Sequence, residues 1–282
     1  MSDVTAEKVK ELRERTGVGM GKCKEALTQA SGDMEEAISL LRKSGMASAV
    51  KKEGRETREG LIGCAESKTA VCLIEVNAET DFVTQNERFK QFLHDICLEA
   101  AETDPDSLEA FLEQKYRKDP ALTIDQYRAL VVQSLGEHLR IKRLQLVSKQ
   151  KDSSVGYYSH MHGKIVTLVE LTGGSGHEAV AREIAMHIAA EAPDYLRAED
   201  VPEEVRLREE DVARGQVVGK PANIVDKIVE GKIRAFYDQI CLLNQKFLKD
   251  SSVTVPQFLE QESRRLGASL HVVRFFRWKV GE

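Results

Sequence analysis

Glycine and lysine are concentrated in residues 17–23 (GVGMGKC), a composition typical of loops that bind phosphate groups. A P-loop requires a glycine, four further residues, and then Gly-Lys followed by a serine or threonine that binds Mg²⁺. Here Thr16 replaces the first glycine and Cys23 replaces the hydroxyl residue. The segment also lies between two predicted helices rather than after a strand. This spacing argues against phosphate binding there.

Residues 173–176 (GGSG) follow a predicted strand and precede a predicted helix, the setting of an anion site at a helix N-terminus. Their spacing is not GxGxxG, and no acidic partner for a ribose stands about 20 residues further on, which favours a flexible turn. His160 and His162 would face one side of a strand, but no third metal ligand is spaced nearby. No Ser/His/Asp or Cys/His set has motif support. The sequence therefore favours a protein that is not an enzyme and uses neither a cofactor nor a metal ion.

One polar loop carries a feature that is harder to explain by structure alone. Thr80-Asp81-Phe82-Val83 follows a predicted strand, and its neighbours on both sides are mostly polar. One interpretation is a helix cap, with Asp81 capping and Phe82 packed into the local core. The other is an exposed aromatic anchor beside a carboxylate, a group that dominates many protein interfaces. The residues alone favour the cap and leave the anchor open.

The composition is that of a globular protein with an acidic balance. Hydrophobic residues make up 41% and charged residues 31% of the 282 residues, and the formal net charge is −5. This balance disfavours a protein that binds nucleic acid or membranes over its whole surface. No apolar run approaches the roughly 18 residues of a spanning helix, and the first five residues do not resemble a signal peptide. Five cysteines without a CxxC pair favour buried thiols in a reducing compartment, so we expect a cytoplasmic protein.

The elements that must position these residues begin with three short helices. Apolar residues recur at helical spacing up to Gly45, which is expected to close the third helix. We predict a three-helix domain over residues 1–45 and a helical or extended linker over 46–59. Beyond the linker, two strands joined at Ser67-Lys68 form a predicted hairpin, which a polar loop connects to a helix containing Phe89 and Ile96.

The strand, loop and helix arrangement recurs later in the chain. Residues 71–76 (VCLIEV) match residues 165–170 (IVTLVE) in hydrophobic pattern, which predicts two related α+β subdomains. A long helical region is predicted between them, from about residue 123 to 150. Residues 194–211 carry eight acidic and three basic side chains, so we expect a solvated helix that projects from the body.

At these motifs the chain resembles the elongation factor Ts family over nearly its whole length. The first resemblance covers residues 12–20 (LRERTGVGM) and 23–27 (CKEAL), and the second covers residues 75–83 (EVNAETDFV). Four further matches follow in the family's order: Gly136-Glu137-His138-Leu139, Met186-His187-Ile188-Ala189-Ala190, Gly219-Lys220-Pro221 and Ile228-Val229-Glu230-Gly231-Lys232.

The resemblance implies an α+β fold with an N-terminal three-helix ubiquitin-associated-like domain. Two related α+β subdomains with antiparallel sheets and a projecting helical hairpin would follow. The core N-subdomain would occupy residues 60–153, the core C-subdomain 154–192 and 221–282, and the acidic hairpin 193–220.

The resemblance also implies a guanine-nucleotide exchange factor that acts on elongation factor Tu during translation elongation. Thr80, Asp81, Phe82 and Val83 would then disturb the Mg²⁺ site of the GTPase. The N-terminal domain would contact the partner through Arg13, Met20 and Lys24. His160, or alternatively His162, would push on the phosphate-binding loop of the partner.

No membrane or direct nucleic-acid partner is expected from the resemblance, and self-association through the acidic segment stays open. Two other classes of function also remain open from the residues themselves. One is a module that binds RNA through Arg140, Lys142 and Arg143, and the other is an enzyme that binds a nucleotide at residues 173–176.

Overall fold

The computed structural model describes residues 4–217 and 221–282. Within them the chain divides into two units. The first comprises residues 4–148 with 162–164 and 279–282, and the second comprises 149–161 and 165–278. Gly219 and Lys220, which belong to one of the family motifs, lie outside the described residues.

The first unit combines a three-helix segment with a small sheet covered by helices. Its sheet has the order β1-β2-β5 with antiparallel pairing throughout, and a second, two-stranded sheet is formed by β3 and β4. Its elements in chain order are α1 (Ala6–Thr16), α2 (Met20–Gln29), α3 (Met34–Lys52), β1 (Glu59–Glu66), β2 (Ala70–Ala78), α4 (Asp81–Gln85), α5 (Glu87–Thr103), α6 (Leu108–Glu113), β3 (Lys115–Tyr116), β4 (Asp119–Thr123), α7 (Ile124–Leu135) and β5 (Leu139–Ser148).

Local capping residues set the limits of the N-terminal helices. Thr5 accepts a hydrogen bond from the first turn of α1, and Asp33 does the same for α3. The prediction that Gly45 closes the third helix is wrong, because α3 continues to Lys52. A Cβ atom at Gly45 would lie 3.3 Å from the Leu130 side chain, so this glycine allows α3 and α7 to approach closely.

The predicted helical region over residues 123–150 is also wrong in its second half. The helix α7 ends at Gly136, whose φ of 82° lies in the left-handed region that favours glycine. The chain then forms β5, which supplies β2 with its second strand partner. Pairing within the sheet thus overrides the helical pattern of charged residues after Gly136.

The second unit repeats this plan. Its main sheet has the order β10-β7-β6, and β8 and β9 form a second two-stranded sheet. Its elements in chain order are β6 (Ser153–His160), β7 (Ile165–Thr172), α8 (Glu178–Glu191), α9 (Glu203–Gly215), α10 (Ala222–Ile240), β8 (Lys246–Phe247), β9 (Asp250–Thr254), α11 (Val255–Leu266) and β10 (His271–Lys279).

The two related subdomains predicted from the sequence are therefore confirmed, and the repeat extends further than predicted. Residues 114–127 (QKYRKDPALTIDQY) correspond to residues 245–258 (QKFLKDSSVTVPQF). Each segment forms a two-residue strand, a five-residue strand and the start of a helix, with a capping box between threonine and glutamine. Residues 114–127, which include β3 and β4, thus belong to the repeated unit.

A buried glutamate pairs with a more exposed arginine in each unit. Glu75 in β2 is fully buried and accepts from Arg143 at 2.7 Å, and Glu170 in β7 accepts from Arg274 at 2.7 Å. The two arginines share the spacing of the other repeated positions, so Glu75 corresponds to Glu170. The alignment of residues 71–76 with 165–170 was one residue out of register. The pattern could not fix the register, since β2 is buried at every position and shows no alternation.

The acidic segment forms part of a helical hairpin in the second unit. The helices α9 and α10 pack against each other, and part of the acidic charge is paired locally. Arg206 contacts Glu203 and Glu210, and Arg214 contacts Glu210 and Asp226. The domain boundaries expected from the family resemblance stay predictions.

Among the described residues, we find no helix of the length and hydrophobicity needed to cross a membrane.

Candidate functional site

The loop after β2 places one aromatic side chain in solvent. We call residues 79–86 the Phe82 loop. Thr80 caps the five-residue helix α4, because its hydroxyl accepts a hydrogen bond from the Val83 N–H. Phe82 lies in the first turn and is 84% exposed, whereas Val83 is buried.

This geometry differs in two respects from the interpretation of the loop as a helix cap with Phe82 in the core. The capping residue is Thr80 rather than Asp81, which is itself exposed. The core position that the cap interpretation gave to Phe82 is occupied by Val83. A phenylalanine that does not contribute to the core favours the alternative, an exposed aromatic anchor.

A corner between α7 and β5 holds this loop. We call residues 136–138 the corner. The main-chain N–H of Thr80 donates to Glu137 Oε2 at 3.0 Å, and the Thr80 hydroxyl donates to Glu137 Oε1 at 2.6 Å. In the opposite direction, the main-chain N–H of His138 donates to Glu79 Oε1 at 2.6 Å. Loop and corner are thus joined by carboxylates from both sides.

The electrostatics of this junction keep Glu79 ionised. Partial burial opposes the charged form, but the hydrogen bond from His138 and the nearby Arg55 outweigh it and lower the pKa of the Glu79 carboxyl. Arg55 donates to both carboxylate oxygens at 3.2 and 3.3 Å. In the buried His138 imidazole, burial and then the charge of Arg128 lower the pKa.

The predicted contact residues of the N-terminal helices are all exposed. Arg13 lies in α1, Met20 begins α2, and Lys24 follows one turn later. In the described part of the first unit, Met20, Val50 and Phe82 are the large apolar side chains that are most exposed. Met20 and Phe82 are both predicted to contact the partner.

The two candidate histidines do not share a strand. His160 is the last residue of β6, and the Tyr158 hydroxyl lies 3.3 Å from its Nδ1 atom. His162 lies in the short turn that follows, with a left-handed φ of 54°. The expectation that both face one side of a strand is therefore wrong. Both side chains are exposed, and the described residues contain no cluster of three or more His, Cys, Asp or Glu that could hold a metal ion.

The glycine-rich segments have structural roles. Gly17 ends α1 in a left-handed conformation, and the Cys23 thiol is buried against the Val18 carbonyl. In residues 173–177, three main-chain N–H groups already donate to acceptors within the second unit. One of these acceptors is the carboxylate of Glu178, which would repel an anion at the start of α8.

The basic cluster proposed for RNA binding is partly used inside the first unit. Arg143 donates to Glu75, and Lys142 lies 3.6 Å from the same carboxylate. Arg140 is exposed, whereas Lys142 and Arg143 are partly buried. The cluster therefore does not form a continuous basic surface.

Sequence reasoning assigned no role to Glu137 or Glu79, although both lie within the quoted motifs. A signal was present, because a carboxylate directly after the glycine that ends α7 can reach neighbouring loops. Its target could not be identified, since Thr80 and Glu137 are far apart in the sequence.

An exposed aromatic side chain, on a loop held by hydrogen bonds at its base, defines a candidate protein-docking site. Comparisons with known proteins show the family to which the chain belongs. Residues 79–282 match the family model described as "Elongation factor TS". The chain is 60% identical to elongation factor Ts of Protochlamydia amoebophila, with full coverage of both chains. It is 42% identical to elongation factor Ts of Chlamydia trachomatis serovar L2 and of Chlamydia muridarum, again with full coverage.

The chain therefore belongs to the elongation factor Ts family, whose members are translation elongation factors.

Proposed function

We propose that this chain is a guanine-nucleotide exchange factor that binds GDP-bound elongation factor Tu in the cytoplasm and promotes GDP release and GTP loading. The observation that carries the proposal is the 84% exposure of Phe82 on a capped helix, in a chain of the elongation factor Ts family. Such an aromatic can be buried only by another molecule. No bond is made or broken in exchange, so the proposal requires no catalytic group.

The Phe82 loop acts on the Mg²⁺ site of the GTPase. Phe82 enters the partner near its nucleotide, and Asp81 contacts the same region, with Thr80 and Val83 fixing the turn between them. Mg²⁺ requires near-ideal octahedral geometry at short distances, so a small displacement of its ligands weakens nucleotide binding. Factor and nucleotide then weaken each other's binding by the same free energy. A loosening of four decades needs about 5.5 kcal/mol of differential binding.

Two further surfaces support this action. Arg13, Met20 and Lys24 bind the nucleotide domain of the GTPase, combining two cations with one apolar side chain that is 54% exposed. His160 pushes on the phosphate-binding loop, with His162 as the alternative. Replacing each histidine separately by alanine distinguishes them, because only the acting residue should slow GDP release. Equal release by both variants and the wild type would remove this part of the mechanism.

The proposal is tested by the release of fluorescent GDP from elongation factor Tu, with excess unlabelled nucleotide and with or without the chain. We expect release to accelerate in proportion to the chain concentration until it saturates. Release that is independent of the chain would overturn the proposed function.

The role of Mg²⁺ has its own test. Chelation of Mg²⁺ by EDTA removes the ion that the loop is proposed to disturb. The ratio of the release rates for wild type and Phe82→Ala should therefore be large in millimolar Mg²⁺ and approach one in EDTA. An unchanged ratio would show that Phe82 acts by another route.

A further inference from the structure

The junction between the Phe82 loop and the corner is more extensive than a helix cap requires. A cap needs one side-chain acceptor for an N–H group in the first turn, and the Thr80 hydroxyl provides it for Val83. The same hydroxyl also donates to Glu137, and so does the Thr80 N–H. Glu137 therefore holds the capping residue itself, through both of its carboxylate oxygens.

A helix as short as α4 depends on such support. Helices of five residues do not persist by themselves, because nucleation is unfavourable and few internal bonds compensate for it. The exposed Phe82 adds no core contacts that would anchor the turn. Bonds to an ionised carboxylate are stronger than neutral hydrogen bonds, and Glu137 is half-buried, which limits competition from water.

The second unit provides an internal comparison. There the positions of Glu137 and His138 are occupied by Ala268 and Ser269. Residues 267–269 form the equivalent corner of the second unit. The backbone of the loop after β7 approaches it so closely that a Cβ atom at Gly173 would collide with the Ser269 carbonyl oxygen. That loop, residues 173–177, carries no phenylalanine, tyrosine or tryptophan. The carboxylate junction thus occurs in the unit whose loop exposes a phenylalanine.

We propose that Glu137 is a positioning residue for nucleotide exchange, which holds Thr80 so that Phe82 is presented in its binding conformation before the GTPase arrives. This inference rests on the proposed function of the Phe82 loop. Preorganisation removes the cost of ordering a segment during binding. Loss of the carboxylate should therefore slow exchange through its effect on the position of Phe82.

The test is a double-mutant cycle in the GDP-release assay, with the variants Glu137→Ala, Phe82→Ala and their combination. With Phe82 present, Glu137→Ala should slow the chain-dependent release about tenfold. In the Phe82→Ala background, the same change should alter release less than twofold, since no aromatic remains to be positioned. Equal losses in both backgrounds would overturn the proposal, because Glu137 would then act independently of Phe82.

Three further variants refine the cycle. Glu113→Ala removes an exposed carboxylate from the same unit and should leave release unchanged. Glu137→Gln keeps one acceptor and should restore part of the activity, and full loss in this variant would contradict the hydrogen-bonding role. Thr80→Val keeps the backbone N–H but removes the hydroxyl, and it serves as the second variant if thermal unfolding shows that Glu137→Ala does not fold.

A measurement on the chain alone separates this inference from the proposed function. Amide hydrogen exchange at residues 80–85 should be about tenfold faster in Glu137→Ala than in the wild type, with no change in α5. Unchanged loop exchange would overturn the positioning role, whatever the release assay shows. If the loop amides respond but Phe82→Ala leaves chain-dependent GDP release unchanged, the proposed action of the Phe82 loop fails and the exchange role of Glu137 fails with it.

Discussion

Replacing Phe82 by alanine should weaken the action on the GTPase strongly while hardly changing the stability of the chain. A phenylalanine side chain has roughly 200 Å² of surface that can be buried, and 84% of Phe82 is exposed. Only about 30 Å² is therefore covered within the chain. At about 25 cal/mol per Å² this area contributes about 0.8 kcal/mol, which corresponds to a shift in Tm of less than about 3 °C.

The exposed area sets the scale of the effect on the partner. Complete burial of about 170 Å² would contribute at most about 4 kcal/mol, and ordering costs reduce what appears as binding. A net loss of about 2 kcal/mol, typical of an interface hot spot, corresponds to roughly thirtyfold slower release. We therefore expect Phe82→Ala to slow chain-dependent GDP release at least tenfold while the thermal unfolding curve hardly changes.

The assay is stopped-flow release of fluorescent GDP from elongation factor Tu at subsaturating chain, where the slope reports the association of factor with GTPase and the exchange that follows. The matched control is Val50→Ala, which shortens another apolar side chain of the first unit that is 65% exposed and should leave the slope unchanged. If both variants or neither slow release, the reasoning from exposure is refuted. A large drop in Tm for Phe82→Ala would contradict the structure of the loop.

Three further predictions concern stability. Glu75→Ala should destabilise the first unit by about 1–3 kcal/mol in urea unfolding, because the fully buried carboxylate accepts from Arg143 and from the buried Asn77 amide, and a loss below about 0.5 kcal/mol would contradict this role. Burial lowers the pKa of both His138 and His187, so the unfolded chain binds more protons below pH 6.5 and stability should fall there, by at most about 1.4 kcal/mol per pH unit for each histidine. Replacing either histidine by Asn should reduce the slope of the free energy of unfolding against pH, measured by urea unfolding between pH 5 and 8. An unaltered slope would contradict the lowered pKa of that histidine. Gly156→Ala should cost about 2–3 kcal/mol, because its Cβ would lie 2.5 Å from the backbone of α8, whereas Gly231→Ala in open space should gain up to about 1 kcal/mol in the same experiment.

Much of the fold could be predicted because its signals are local. Helical periodicity predicted the three N-terminal helices, and two strands joined at Ser67-Lys68 predicted the hairpin of β1 and β2. The end of α3 and the strand β5 were missed for one reason. Gly45 serves packing against another helix, and residues 139–148 become a strand because β2 offers an open edge. Neither circumstance is visible in the local sequence.

The repeat is also visible in the sequence, in its polar residues. Gln114, Lys115, Lys118 and Asp119 recur as Gln245, Lys246, Lys249 and Asp250 at one constant spacing. This signal lies in polar residues of turns and caps rather than in the apolar pattern of the strands. Apolar patterns in a fully buried strand are degenerate to a shift of one residue, but cap and turn residues occupy unique positions. They therefore define the register of the repeat better than the core does.

The two units share one arrangement of strands and helices, but only the loop of the first unit exposes an aromatic anchor. The difference arises from a few residues where the loop and the corner meet. In the second unit, a glycine brings the loop backbone onto the corner, and nothing apolar is displayed there. In the first unit, the Glu137 side chain extends from the corner and accepts hydrogen bonds from Thr80. The loop backbone is therefore one side chain away from the corner, which leaves room for the turn that exposes Phe82. The three-stranded sheets and the helices packed on them recur in both units, so they do not by themselves account for the proposed exchange activity. We expect the part of that activity that depends on Phe82 to reside in the loop and in the carboxylate that holds it, where mutations should separate function from folding.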